Sequence, residues 1–310
     1  MTRSRITQTD PPDLLPYELS TLASDWLRSL RASNRSQHTL RAYRATVTQL
    51  EAFLVASGMP TDVRKLTREH VESFLVDVVE RNAASTAALR FSALKSFFGW
   101  LVDEGEITRS PIERTARPNV PDVPVPIITT EQAKALLKAC NGTTFEDRRD
   151  AAILRLFLDG GPRLSELTAL RVDDVDRDLQ VLHVVGKGSR PRAVPYGAKS
   201  AQALDRYLRA RAKHPEARRD ALWLGQRGAL STGSVYAVVR RRASLAGFTL
   251  HPHQLRHTWA HQWRAQGGNS DDLQRMGGWR SAQMLNRYGA SAADERAREA
   301  HKKLSFGDQL

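Results

Sequence analysis

Five prolines crowd into residues 110–127, at positions 111, 118, 121, 124 and 126. Proline removes a backbone donor and fixes φ, so neither a helix interior nor a central strand runs through such a stretch. Closely spaced prolines also stiffen and extend it. The segment 106–127 therefore reads as a linker, and a 310-residue chain divided there has two parts, each long enough to bury a core. Before the prolines, apolar residues recur only at helical spacing. Leu19–Leu30 is one such run, and Ser36–Ser57 a second, with Leu40, Tyr43, Val47, Leu50, Phe53 and Leu54 on one side. Arg68–Arg81 follows Thr67 as an N-cap, and Ser85–Glu104 completes the set. The spacing predicts a strand-free bundle of four helices over 17–105, with Phe91, Phe97, Phe98 and Trp100 in its core. Residues 1–16, polar with three prolines, read as a flexible lead-in.

The second part, 128–305, mixes helices with a small antiparallel sheet, so the whole chain is expected to be mainly α. Thr130 is read as the cap of a first helix and Arg149–Leu158 as a buried one. Gly160, Gly161 and Pro162 then break the chain, and Arg163 opens the next helix. Leu179–Val185 and Arg190–Pro195 read as paired strands around a Gly186-Lys187-Gly188 turn, whose glycines let Lys187 project from the tip. Helices are expected over 198–212 and 231–246, with a short strand at 222–224. A polar, Ala-rich helix, 291–304, is marginal alone and needs something to dock on.

Charge narrows the function. Forty-seven Lys and Arg against 34 Asp and Glu leave +13, which predicts a polyanionic partner, most simply nucleic acid. The competing explanation is a genome that favours arginine codons. Cys140, the sole cysteine, excludes an intrachain disulfide and a four-cysteine zinc site, and reads as a small buried apolar group. No run reaches about 18 apolar residues, and the N-terminus has no secretory h-region, so a cytoplasmic protein with no membrane partner is expected. Neither a zincin motif, a phosphate-binding loop nor an acidic triad of the metal-nuclease kind is visible, and no metal or other cofactor is expected.

The chemistry concentrates between His251 and Tyr288. His253 and Arg256 are three apart and share a helix face, which sets a proton-transfer group beside a fixed cation. Tyr288 lies beyond a short helical segment and nine residues after Trp279. A phenol needs a base or a cationic setting to attack. Arginines supply that setting and hold phosphate oxygens bidentately. His257 reads as a structural hydrogen-bonder, and His251 receives no role.

His253-x-x-Arg256, the Gly278-Trp279 element and Tyr288 together resemble the tyrosine recombinases of the phage integrase family, in their Xer-like two-domain form. Gly161-x-Arg163-x-x-Glu166 is similar to the family's first arginine motif, although its usual Thr is absent, and many members carry His where Trp279 stands. The resemblance covers about residues 17–305. It implies a helical, SAM-like core-binding domain that clamps one face of a duplex, followed by a catalytic domain. It further implies site-specific strand exchange through a 3′-phosphotyrosyl link, in which Tyr288 is the nucleophile. Arg163 and Arg256 would clamp the scissile phosphate, Lys187 protonate the leaving 5′ oxygen, and His253 manage the tyrosine's proton. Trp279 would brace the pocket, with Glu166 in support. Arg41, Arg44, Arg90 and Lys95 in the bundle, and Arg190, Arg192 and Arg241 beyond it, are the expected DNA contacts. Within the triplet 240–242 at most two side chains can face one ligand.

The implied partners are double-stranded recombination sites and a homo-oligomer, four protomers on two sites, with a paired recombinase as the alternative. The tail helix is expected to dock on a neighbouring protomer, and no arm-binding domain is expected ahead of the bundle. Two other readings stand beside this one: a topoisomerase of the type IB kind, which reseals a single duplex, and a non-catalytic DNA-binding protein. Chromosome-dimer resolution and mobile-element integration both stay open, with Trp279 leaning toward the latter.

Overall fold

The computed structural model describes residues 17–121, 125–186 and 190–279, together with 281, 298, 301, 302, 305 and 307. The lead-in 1–16, Lys187, Tyr288 and most of the expected tail helix fall outside the described residues. The chain separates into two compact units, with the division between residues 122 and 123.

The first unit is helical. It comprises α1 (Leu19–Ala32), α2 (Gln37–Ala56), a short 3-10 turn (Val63–Lys65), α3 (Arg68–Arg81) and α4 (Ala84–Asp103). Local chemistry fixes the starts. The Ser36 hydroxyl accepts from the Thr39 backbone N–H at 3.2 Å, and the Thr67 N–H donates to His70 Nδ1 at 3.1 Å. Trp26, Leu50, Phe97 and Phe98 are buried at the centre. Trp26 stacks on Tyr43 with ring centroids 5.3 Å apart and meets Phe97 at 5.1 Å. Phe91 is buried as well, whereas Trp100 packs against the core from its edge. Ile107 and Ile112 also belong to this core, so the segment expected to be linker begins as part of the first unit. Of the expected phosphate contacts here, Arg41, Arg44 and Lys95 are exposed. Arg90 is tied inward: its Nη1 donates to Thr46 Oγ1 at 2.9 Å and to the Ala42 carbonyl at 3.2 Å.

The second unit runs α5 (Thr130–Lys138), α6 (Phe145–Gly160), α7 (Leu164–Ala169), β1 (Val175–Asp176), β2 (Val181–Gly186), β3 (Arg190–Pro195) and α8 (Ala198–Arg211). It continues with β4 (Leu224–Gly225), β5 (Gly228–Ala229), α9 (Thr232–Leu245), α10 (Pro252–Ala265) and α11 (Ser270–Gly277). Strands β1, β2 and β3 form one antiparallel sheet in that order, with Val184 opposite Arg192 and Gly186 opposite Arg190. Helix α6 is the axis of the unit and packs on α8 and α10. Its side chains Ile153, Leu154, Leu156 and Phe157 are buried with Leu204, Tyr207, Trp223 and Leu255.

Several boundaries differ from expectation, each for a local reason. Thr129, not Thr130, caps α5 by accepting from Gln132 N–H at 3.2 Å. Helix α6 begins at Phe145, four residues early, because Thr144 and Asp147 form a capping box with the Asp147 N–H 3.1 Å from Thr144 Oγ1. Strand β2 begins at Val181, not Leu179. Asp176 Oδ1 accepts from the Asp178 and Leu179 N–H groups at 3.0 and 2.8 Å, which closes an Asx turn, and Leu179 is 72% exposed.

Two of the three consecutive arginines on α9, Arg241 and Arg242, are held by one carboxylate, and Arg240 is exposed. Asp150 is fully buried and accepts from Arg149, from Arg241 Nη2 at 2.7 Å and from Arg242 Nε at 2.8 Å. Arg242 also reaches Asp147 at 2.8 Å and the Ala139 carbonyl at 2.7 Å. Arg241, expected on the DNA backbone, is thus an ion-pair partner of the unit's interior, with its side chain half-exposed. Cys140 is buried beside this cluster, and burial pushes its thiol up to about 11.

Candidate active site

The site is built where α6 ends. Gly161 caps the helix at φ +54°, a left-handed conformation that glycine adopts without strain. A Cβ there would fall 2.2 Å from the Trp259 ring, and one on Gly160 would fall 2.4 Å from Val194. The two glycines therefore let the chain turn sharply against α10 and β3. Pro162 follows, and Arg163 becomes the N-cap of α7.

Glu166 organises the arginines. The Arg163 backbone N–H donates to its Oε2 at 2.7 Å and Arg163 Nη1 to its Oε1 at 2.8 Å. Arg192 reaches across from β3 and grips the same carboxylate bidentately, at 2.6 and 2.8 Å. The Glu166 side chain is 3% exposed. Burial pushes its carboxyl up, but hydrogen bonds from Arg192 and from the backbone and side chain of Arg163 outweigh that and hold it down at about 2.

Helix α10 supplies another buried arginine. Pro252 occupies its first turn, and His253, Arg256 and His257 follow at spacings of three and four on one side. Arg256 is 2% exposed and donates to the carbonyls of Gly161 and Gly277. Its guanidinium carbon lies 4.2 Å from the centroid of the Trp279 ring, a cation–π contact, and Trp279 stacks on Trp259 at 5.9 Å and 19°. Trp279 is buried, and a Cβ on Gly277 would fall 2.0 Å from its ring.

These contacts converge on one turn. The consecutive carbonyls of Met276, Gly277 and Gly278, at the end of α11, accept from Arg192 Nε (2.8 Å), Arg256 and Arg163 Nη2 (2.9 Å) in that order. A helix C-terminus carries partial negative charge, so three cations are well placed there. Three guanidinium groups against the single carboxylate of Glu166 leave the cluster net positive, a setting that receives an anion.

His253 and His257 face each other with their Nε2 atoms 3.0 Å apart and their rings nearly perpendicular. Burial, then the charges of Arg256 and Arg163, lower the pKa of His253. Burial, then His253 and Arg256, lower that of His257 to about 4. His251 bonds Tyr236 through Nδ1 at 2.8 Å, away from this pair.

Of the catalytic set expected from the sequence, the structure brings together Arg163, Glu166, Arg256 and Trp279, with His253 one turn away on α10; Lys187 and Tyr288 lie outside the described residues. Arg192, expected beside Arg190 on the DNA, turns inward to the centre of the cluster, while Arg190 is exposed. A signal for this was available: side chains alternate along a strand, so Arg192 shares a face with Val194, which is buried.

Comparison with known proteins gives the family of the chain. Residues 126–295 match the phage integrase family, and residues 23–105 match the phage integrase N-terminal SAM-like domain. Tyrosine recombinase XerC of Corynebacterium efficiens is 32% identical over 273 residues, covering 87% of this chain and 86% of that one. Tyrosine recombinase XerD of Corynebacterium glutamicum is 31% identical over 291 residues, covering 88% and 94%. Among solved structures, the Tn1549 transposon integrase in complex with a circular intermediate DNA aligns with a TM-score of 0.74 at 19% identity, covering 93% of this chain and 99% of that one.

Proposed function

Because this chain belongs to the phage integrase family and is a site-specific tyrosine recombinase, we propose that Tyr288 attacks a scissile phosphate of duplex DNA and forms a 3′-phosphotyrosyl link. Arg163 and Arg256 neutralise the non-bridging oxygens as the pentacoordinate transition state forms. Lys187 is the general acid for the departing 5′ oxygen, and His253 handles the proton of the tyrosine. Trp279 braces Arg256 from its ring face and has no acid–base role. A free 5′ hydroxyl from another strand then reverses the step. The one observation that carries this reading is that Arg163 and Arg256, distant in the chain, donate to adjacent carbonyls of the same turn.

The partners on this reading are double-stranded recombination sites and three further copies of the chain, with the tail beyond Tyr288 docking on a neighbour. The recombinase names of the relatives favour strand exchange between duplexes over relaxation of one. The site of action is the cytoplasm, in keeping with the absence, among the described residues, of a helix long and apolar enough to cross a membrane.

The test begins with sequencing DNA recovered as covalent adducts from cells, which supplies the cleaved site. A duplex of that sequence, nicked near the cleavage point, should then trap the adduct in vitro. Tyr288→Phe should give no adduct and still bind the duplex. An adduct that persists in this variant refutes the assignment of the nucleophile.

A further inference from the structure

We propose that Arg192 is a positioning residue for strand cleavage, which locks Glu166, and through it Arg163, onto the C-terminal turn of α11, and that it makes no contact with DNA. Its part in cleavage rests on the recombinase reading; its place in the lock rests on geometry alone.

The guanidinium of Arg192 uses both of its edges. Nη1 and Nη2 hold the two oxygens of Glu166, and Nε holds the Met276 carbonyl. Three of its five N–H donors are thereby committed to acceptors inside the protein. Backbone closes in around it. Gly278 adopts φ +64°, and a Cβ there would sit 3.2 Å from Arg192 Cδ and Nε. A Cβ on Gly186 would sit 3.5 Å from Arg192 Nη1. The side chain is only 12% exposed. Swinging it out to a phosphate would strand a buried carboxylate with one partner in place of two, which is strongly unfavourable.

The lock joins three elements. Arg192 comes from β3, Glu166 from α7 and Met276 from α11. Arg163 shares the carboxylate with Arg192 and bonds the next carbonyl but one. The anchored turn continues into Trp279 and the segment that carries Tyr288. Arg192 thus sets where one phosphate clamp stands relative to the chain that delivers the nucleophile. Displacements of about 1 Å at such a site can cost on the order of 100-fold in rate.

Three measurements on the full chain test this, and the first two need neither a known target nor catalysis. Amide exchange is followed by mass spectrometry in the wild type, Arg192→Gln and Arg192→Lys. The Gly278 and Trp279 amides, which bond back to Arg275 and Gln274, should exchange roughly tenfold faster in Arg192→Gln. Arg192→Lys, which has no planar fork, should fall between. Binding to a random-sequence duplex is measured against salt, and the log–log slope should not change in Arg192→Gln. A residue on a phosphate would lower that slope by about one. On the nicked duplex that the wild type cleaves, single-turnover adduct formation at saturating DNA should drop by about 10- to 100-fold with half-saturation unchanged, and Arg192→Lys should recover part of it. Unaltered exchange together with a slope lower by one overturns the proposal, as does a loss that appears only in half-saturation. No adduct from the wild type instead counts against the recombinase reading and leaves the outcome of the first two measurements standing.

Discussion

A carboxylate and two histidines in the site tie stability to pH. Glu166 is held at about 2 against an ordinary 4.5. A carboxyl depressed on folding stabilises the fold above its unfolded pKa and loses that contribution as pH falls toward its folded one. Urea unfolding should therefore show stability falling from about pH 4.5 toward 2, and Glu166→Gln should flatten that limb. The same substitution should cost about 3 kcal/mol at neutral pH, because it leaves two guanidinium groups facing an uncharged amide. His257 is lowered to about 4 from 6.5, chiefly by burial. In the interval between those values the unfolded chain binds the proton more readily, so stability is full above about 6.5 and declines toward 4. His257→Gln should lessen the decline between about pH 6.5 and 4, the remainder belonging to His253, whose pKa burial also lowers. The motif that carries His253 and Arg256 was legible because both sit on one helix at a spacing that needs no tertiary knowledge. Arg192 was harder to place: its partners, Glu166 and Met276, come from separate parts of the chain, and only the alternation with Val194 pointed inward.

Among elements, length decided what could be read. Helices α1 to α4 repeat their apolar period several times and match the expected spans within two residues. Strands β1, β4 and β5 have two residues each, too few to show an alternation; β1 and β5 escape a reading based on period, and β4 falls at the end of the short strand expected over 222–224. The start of α6 escaped for another reason: Phe145–Arg148 offers a single apolar residue, too few to show a period, and the turn is started by the Thr144 capping box. The end of α6 was legible from Gly160, Gly161 and Pro162, and this break places Arg163. Its chemistry gives a direct test. Gly161→Ala adds a Cβ into the Trp259 ring at a positive φ, so it should destabilise the second unit by about 2 kcal/mol or more. Denaturant unfolding followed by tryptophan fluorescence checks this; a midpoint equal to that of the wild type would mean that the turn relaxes freely.

At the scale of the molecule, the excess of +13 is unevenly committed. Arg149, Arg192, Arg241 and Arg242 are matched to buried carboxylates, whereas Arg41, Arg44, Lys95 and Arg190 are exposed. A count of basic residues in the sequence cannot make that division, because it depends on which carboxylates are buried. Affinity for a random-sequence duplex should fall by about 1,000-fold between roughly 50 and 200 mM salt if six or more phosphates are neutralised. Arg41→Gln combined with Arg44→Gln should lower the log–log slope by about two, where Arg241→Gln lowers it by less. Filter binding across a salt series distinguishes them.

The turn at 276–278 has a practical corollary for anyone recombining relatives of this chain. On the proposed reading, the anion cradle and the segment that follows this corner, which carries Tyr288 in the sequence, cannot be exchanged as independent modules. A hybrid that takes its last forty residues from another member inherits a foreign corner, and on that reading should regain activity when the donor's counterparts of Glu166 and Arg192 are moved with it.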